Sequence, residues 1–252
     1  MAFAEGESIK NSVRNFYNKN PMSRYGLAEK LAFPKKIRGK KLLDAGCGAG
    51  YLLFDYALYG ADVTGIDQSE QSINAIREQA DYFGLHPNLI VGDLEKVELP
   101  DKEFDYIFST YVLHHTPHPE VVLAKFRRWI KDDGHARITI SNKYAADNAF
   151  RLAMEGLLMY FPFVSRMVPE KFKLKVHWRD RFENPFWDPW SKRELVERVQ
   201  NAGFHIDSIH YHGFTPFLTF WIPPIITKLL EKALSRYIGK AITVELTPVT
   251  VK

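Results

Sequence analysis

The sequence contains almost no cysteine and no long apolar run. Cys47 is the only cysteine among 252 residues, which excludes an internal disulfide and any metal site built from several cysteines. No stretch of about 18 uninterrupted apolar residues occurs, so no membrane-spanning helix is predicted. The first residues lack the apolar segment of a secretory signal, and a cytoplasmic protein is expected. The net charge of +4 is small, and the composition alone does not indicate a nucleic-acid partner.

Apolar residues make up 46% of the chain and charged residues 25%, which is typical of a globular protein. Patterns typical of strands and of helices alternate through the middle of the sequence. Strands are predicted at 41–44, 62–67, 88–92, 104–110 and 135–141, and helices at 50–59, 69–83 and 119–131. This alternation predicts a parallel sheet with helices on both faces.

The chain divides into four predicted segments. Residues 1–40 are interpreted as an N-terminal helical extension, 41–142 as the core, 143–190 as an inserted cap rich in aromatic residues, and 191–252 as the completion of the core. Ser191 and Glu194 have the spacing of a capping box, which predicts a helix that ends at Gly203. Two final strands, at 205–212 and 241–251, are predicted from alternating apolar residues.

A glycine-rich turn follows the first predicted strand. Asp44 ends the strand, and glycines follow at alternating positions, Gly46, Gly48 and Gly50. Glycine adopts positive φ angles and has no Cβ, so such a turn lets backbone N–H groups approach a ligand. A dinucleotide fingerprint would require a further glycine at position 51, which is Tyr51. The spacing therefore disfavours a nicotinamide dinucleotide.

Three further strand ends carry polar groups. Asp67 lies 19 residues after Gly48, a separation that places a carboxylate to accept hydrogen bonds from both ribose hydroxyls. Asp93 and Leu94 end the third strand, where they could bind an adenine amino group and pack against its ring. Thr110 ends the fourth strand, which continues into histidines. Any one of the strand-end aspartates could merely cap the following helix, and Asp93 could be a turn residue. The four elements together, in order, favour a ligand site.

These motifs resemble the small-molecule class I methyltransferases of the type-11 domain, which include quinone-biosynthesis methyltransferases. The matching segments are 43–50, 65–67, 92–94, 104–105 and 113–115. The resemblance implies a Rossmann-like α/β fold with a seven-stranded sheet, S-adenosylmethionine as cofactor and S-adenosylhomocysteine as product. The cofactor-binding residues that it implies are Asp44, Gly46, Cys47, Gly48, Asp67, Gln68, Asp93, Leu94, Thr110 and Tyr17. Packing within the turn is an alternative for Cys47, as is a core or surface position for Tyr17.

The implied reaction is an in-line attack of the acceptor on the sulfonium methyl. An oxygen or carbon acceptor must also lose a proton, and histidine is the usual base. The candidates are His114, His115 and His118 after the fourth strand and His177 in the cap, and we take His115 and His177 as the catalytic candidates. Arg179 beside His177 could orient an acidic acceptor, or both residues could belong to an exposed charged turn. No spacing of metal ligands is recognised, so no metal is predicted.

The acceptor is expected to be a small, aromatic or apolar molecule, methylated on oxygen rather than on nitrogen or carbon. Residues 109–112 lack the Pro-Pro-aromatic element of amino-methylating nucleic-acid enzymes, which disfavours a nucleobase. The apolar segments 150–163 and 214–226, with the basic residues of 166–181, could line a pocket or dock on a membrane surface, and pocket lining is favoured. A non-catalytic module that binds the cofactor or a partner is the remaining alternative.

Overall fold

The computed structural model describes residues 37–145, 186–212 and 239–249. The strands in these ranges are β1 Lys41–Ala45, β2 Asp62–Asp67, β3 Asn88–Val91, β4 Phe104–Thr110, β5 Ile130–Ser141, β6 Phe204–His212 and β7 Ala241–Pro248. The helices in them are α1 Tyr51–Leu58, α2 Glu70–Phe83, a 3₁₀ turn at Leu113–His115, α3 Pro119–Trp129 and α4 Lys192–Asn201.

The seven strands form one sheet in the order β3-β2-β1-β4-β5-β7-β6. The pairs among β1 to β5 are parallel, whereas β7 runs antiparallel to both β5 and β6. The strand order reverses between β1 and β4, which are neighbours at the centre of the sheet. In open sheets of this kind, ligands bind outside the carboxyl ends of the strands at such a reversal.

Helices cover both faces of the sheet, as the sequence predicted. On one face, α1 and α2 bury Leu53 and Ile76 against apolar residues of β1, β2 and β4. On the other face, α3 and α4 bury Trp129 and Leu195 in a larger cluster that includes β5 and β7. This burial of apolar surface is the main force that holds the layers together. Within the described ranges, these helices leave the carboxyl edge of the sheet uncovered.

Several predicted boundaries are confirmed. β2 and β4 have the predicted limits. Ser69 caps α2 by accepting a hydrogen bond from the Ser72 N–H, and α2 ends at Gly84 in the left-handed conformation. Ser191 and Glu194 form the complete capping box of α4. These features are local in sequence, which is why the pattern alone identifies them.

The boundary between α3 and β5 was predicted wrongly. The helix ends at Trp129 instead of 131, and β5 begins at Ile130 instead of His135. Ile130 pairs with Phe104, and the register then shifts before the next pair. Gly134 lies inside β5, where a Cβ would come within 2.7 Å of the Ile130 side chain. A bulged strand thus occupies a polar segment that reads as a connecting loop.

The N-terminal extension and the inserted cap lie almost wholly outside the described residues. The predicted segment boundaries at 40, 142 and 190 therefore remain a proposal. Trp190 forms an isolated parallel bridge with Asn142, so the chain returns to the sheet edge just before α4. Among the described helices, none is both long enough and apolar enough to cross a bilayer.

Candidate active site

The glycine turn between β1 and α1 has the backbone conformation that its composition predicts. Gly46, Gly48 and Gly50 have φ angles of 81°, 52° and 78°. A Cβ at Gly46 would lie 2.2 Å from Cγ2 of Val112, whereas nothing lies within 4 Å of a Cβ built at Gly48. The turn is therefore closely packed at its first glycine and open at its second.

Three amide groups of this turn donate to protein oxygens. The Gly46 and Cys47 N–H groups donate to the Ile66 carbonyl oxygen at 2.8 and 3.0 Å. The Gly48 N–H donates to Oδ2 of Asp67 at 2.8 Å. These bonds fasten the turn to β2. The contribution of the glycines is consequently space and close backbone approach rather than a set of outward amide donors.

Asp44 and Cys47 lie beneath the turn. Asp44 is 3% exposed and Cys47 7%. Burial, and secondarily the charge of Asp67, raises the pKa of Asp44 to about 7. Asp44 thus places a buried titratable group behind the glycines.

Asp67 ends β2 and holds two adjacent loops. Its Oδ2 accepts from Gly48, and its Oδ1 accepts from the Ser69 N–H at 2.8 Å. Burial raises the pKa of Asp67, while these two bonds oppose the shift. The carboxylate is thereby fixed at the edge of the sheet with its orientation determined by backbone donors.

The end of β3 places Asp93, Leu94 and Glu95 in a tight turn. Oδ1 of Asp93 accepts from the Glu95 N–H at 2.9 Å, and the Asp93 carbonyl accepts from the Lys96 and Val97 N–H groups at 2.8 Å. Oε1 of Glu95 accepts from the backbone N–H of His118, which links this turn to the start of α3. Hydrogen bonds within the turn and one to the start of α3 therefore fix its conformation.

His114 and His115 follow β4 in the 3₁₀ turn. His114 is 1% exposed, and its ring nitrogens contact the Ser141 N–H and Oγ at 3.4 and 3.2 Å. Nδ1 of His115 lies 2.9 Å from the Phe186 carbonyl oxygen. Because a carbonyl only accepts, Nδ1 carries the proton, and in the neutral ring the lone pair is on Nε2. Burial lowers the pKa of His115 to about 4.

All four strand ends open into one cleft of about 800 Å³, a volume that includes space open to solvent. Its lining residues are Gly46, Gly48, Asp67, Gln68, Ser72, Gly92, Asp93, Leu94, Glu95, Thr110, Tyr111, Val112, His115, Thr116 and Pro117. Three of them are acidic and none is Lys or Arg. Such a lining favours a ligand of positive charge and disfavours the pyrophosphate of a dinucleotide.

Of the predicted cofactor and catalytic residues, eight lie along this cleft: Gly46, Gly48, Asp67, Gln68, Asp93, Leu94, Thr110 and His115. Asp44 and Cys47 lie behind its wall, and His114 is buried next to it. Tyr17, His177 and Arg179 fall outside the described residues. The described ranges contain no cluster of three or more metal-ligating side chains.

Sequence reasoning missed several lining residues, notably Ser72, Glu95, Tyr111 and Val112. Glu95 lies three residues beyond the predicted end of the third strand and Ser72 five residues beyond that of the second, so both follow strand ends that the sequence had identified. Tyr111 and Val112 directly follow Thr110, but their position depends on a chain reversal that no sequence motif marks.

Comparisons with known proteins agree with this arrangement. The methyltransferase domain family matches residues 43–138. A ubiquinone biosynthesis O-methyltransferase from Photobacterium profundum is 27% identical over 188 residues, covering 73% of this chain and 72% of the relative. The corresponding protein of Glaesserella parasuis is 30% identical over 190 residues, covering 73% of each chain. An S-adenosylmethionine-dependent methyltransferase from Mesorhizobium loti shares the fold, with a TM-score of 0.58, 16% identity, and coverage of 85% and 94%.

The seven-stranded sheet and the cleft at its carboxyl edge define a Rossmann-like transferase fold. The domain match and the relative that is 30% identical over 73% of this chain show the family. The chain belongs to the class I S-adenosylmethionine-dependent methyltransferases.

Proposed function

We propose that this enzyme transfers the methyl group of S-adenosylmethionine to a hydroxyl oxygen of a small aromatic or apolar molecule. The observation that carries the proposal is the polarity of the cleft: three acidic side chains line it, together with a histidine that burial keeps neutral. The acidic part suits a ligand with net positive charge, and the histidine suits a proton acceptor.

The residues present fit the cofactor. Gly48 leaves space where a Cβ would stand, which suits close approach of the methionyl part. The fixed carboxylate of Asp67 would accept from the ribose hydroxyls, while Asp93 and Leu94 would bind and pack the adenine. Gln68 and Thr110 lie beside these groups in the same lining. When bound, S-adenosylmethionine supplies a methyl group activated by a positively charged sulfur. Asp44 and Cys47 are proposed to support the glycine turn from behind.

His115 is proposed as the general base. The Phe186 carbonyl holds its ring in the tautomer that has the lone pair on Nε2. A pKa of about 4 keeps the ring neutral at pH 7, so it can accept a proton. The low pKa also makes it a weak base. It therefore suits an acidic hydroxyl, such as that of a phenol, better than an aliphatic alcohol.

Two findings support oxygen as the methylated atom and a phenol as the acceptor class. The relatives named above are O-methyltransferases of ubiquinone biosynthesis, and ubiquinone contains a planar six-membered ring. The lining beyond Thr110 is mainly apolar, with Tyr111, Val112 and Pro117. A peripheral membrane contact, a base role for His177 and a cofactor contact by Tyr17 rest on residues outside the described ranges and remain predictions, as does a cytoplasmic location.

Calorimetry with S-adenosylhomocysteine and mass spectrometry of a phenol and catechol panel test the proposal. The wild type should bind the cofactor product and methylate at least one hydroxyl of the panel. His115→Ala should reduce turnover by about 100-fold, within the range for loss of a general base, and leave the affinity for S-adenosylhomocysteine unchanged. His205→Ala, a change at an exposed histidine of β6, is the matched control and should leave both unchanged.

Different results would refute the cofactor site and the acceptor class. Folded protein that does not bind S-adenosylhomocysteine would contradict the cofactor site. Cofactor binding without methylation of any phenol or catechol would contradict the acceptor class. Equal losses of binding and turnover in His115→Ala would make that residue a structural one.

A further inference from the structure

Tyr111 has a backbone conformation that is unfavourable for its side chain. In the described ranges, the only non-glycine residues with positive φ are Lys102 at 57° and Tyr111 at 59°. Bulky L-residues rarely adopt this region because Cβ crowds the backbone carbonyl oxygen. Tyr111 follows β4 directly, and its N–H donates to the Thr139 carbonyl oxygen of β5 at 2.8 Å. Backbone strain of this kind is concentrated at functional sites, where the surrounding structure maintains it.

The chain reversal at Tyr111 has a clear structural result. It directs Val112 onto Gly46, where the valine occupies the space that a Cβ would need. It also begins the 3₁₀ turn that carries His115 to the cleft. A glycine at position 111 would produce the same reversal without strain. The path of the backbone therefore does not explain why a tyrosine is found here.

The side chain of Tyr111 provides the explanation. Its ring is half-buried and lines the cleft together with Thr110 and His115. It meets the buried ring of His114 edge to face, with centroids 6.1 Å apart. The contact with His114 thus fixes the aromatic ring of Tyr111 beside the candidate base His115. Asp67 and Asp93 lie at the ends of other strands.

We infer that Tyr111 is a specificity residue that contacts the methyl acceptor, with its ring packed against a flat aromatic molecule whose hydroxyl faces His115. The inference rests on the proposed O-methylation and adds a recognition element to it. Aromatic rings pair favourably in offset or edge-to-face geometry, so a planar acceptor gains a contact there that an aliphatic one does not.

Three variants test this inference, with catechol as the probe and S-adenosylhomocysteine bound. Tyr111→Gly removes both the ring and the strain, and Tyr111→Phe removes only the hydroxyl. Lys102→Gly is the matched control, since Lys102 has the same backbone strain in an exposed turn between β3 and β4. For each, we would measure the melting temperature, the affinity for S-adenosylhomocysteine by calorimetry, and catechol binding by ligand-observed NMR.

Tyr111→Gly should weaken catechol binding by about tenfold, consistent with loss of an aromatic contact, with an unchanged affinity for S-adenosylhomocysteine and an unchanged or higher melting temperature. Tyr111→Phe should retain catechol binding within about threefold, and Lys102→Gly should retain both affinities. Wild-type catechol binding in Tyr111→Gly would overturn the inference, as would an equal loss in Tyr111→Phe. A parallel loss of stability and of cofactor-product affinity in Tyr111→Gly would also overturn it, because the ring would then be purely structural. Absence of catechol binding in the wild type would overturn the proposed acceptor class and this inference with it.

Discussion

Replacement of Asp67 by alanine should damage both the fold and the cofactor site. The Asp67 carboxylate accepts two backbone N–H groups, from Gly48 and Ser69, each at 2.8 Å. A hydrogen bond to a charged group contributes about 1.5–3 kcal/mol, and removal of a partly buried carboxylate offsets some of the loss. We expect the free energy of unfolding without ligand to fall by about 2 kcal/mol. For a chain of this size, that corresponds to a melting temperature lower by about 4–8 °C.

The same change should weaken binding of S-adenosylhomocysteine by about 100-fold or more, because two further charge-assisted hydrogen bonds, to the ribose, would be lost. Thermal melts without ligand and calorimetry with ligand separate the two effects. Asp62→Ala, at the exposed beginning of the same strand, is the matched control and should alter neither quantity. Asp67→Asn keeps an acceptor for one of the two amides and should have intermediate stability.

Near wild-type affinity in folded Asp67→Ala would refute the ribose assignment, whatever happens to the melting temperature. A lower melting temperature with normal affinity would mean that Asp67 serves only to fasten the glycine turn to β2.

Two titrations offer further tests. Burial raises the pKa of Asp44 from 3.8 to about 7, so its neutral carboxyl favours the folded state at low pH and this contribution is lost as the pH rises from about 4 through 7. Binding of cationic S-adenosylmethionine at pH 7 should therefore release protons from Asp44, measured by calorimetry in buffers of different ionisation enthalpy. Asp44→Asn should release fewer protons, and equal release by both would contradict the assignment. The Ser191 N–H lowers the pKa of Glu194 from 4.5 to about 2, so the stability from this cap is present above pH 4.5 and is lost as the pH falls toward 2. In urea melts the stability difference between wild type and Glu194→Gln should shrink over that interval, and a constant difference would argue against the cap.

Local patterns predicted most of the sheet and the helix caps. The bounds of β2 and β4 could be predicted because acids and turn residues interrupt short apolar runs there. The Ser191 cap could be predicted because both of its partners lie within three residues. The start of β5 could not, since Ile130 joins the sheet by pairing with Phe104, a residue 26 positions earlier. Pairing between distant segments overrides the local appearance of a loop.

The candidate site shows the same division. Asp67 and Asp93 could be predicted because strand ends of a parallel sheet meet at one edge. Their second role was raised from sequence only as an alternative to ligand binding: both carboxylates accept backbone N–H groups that shape the turns beside them. The strain at Tyr111 was hidden, because its N–H is held by Thr139 on a different strand. The residue types of the site were thus accessible from sequence, whereas the constraints on them were not.

The backbone around His115 connects the candidate base with residues 186–190, which precede α4. The Phe186 carbonyl accepts from His115, and the Asp188 N–H donates to the His114 carbonyl oxygen at 2.9 Å. The Trp190 N–H then donates to the Ser141 carbonyl oxygen at the end of β5. Three hydrogen bonds therefore hold residues 186–190 against the wall of the cleft. Because one of them sets the tautomer of His115, a displacement of this segment would change which ring nitrogen can accept a proton. Acceptor binding next to His115 and the position of this segment should consequently be coupled.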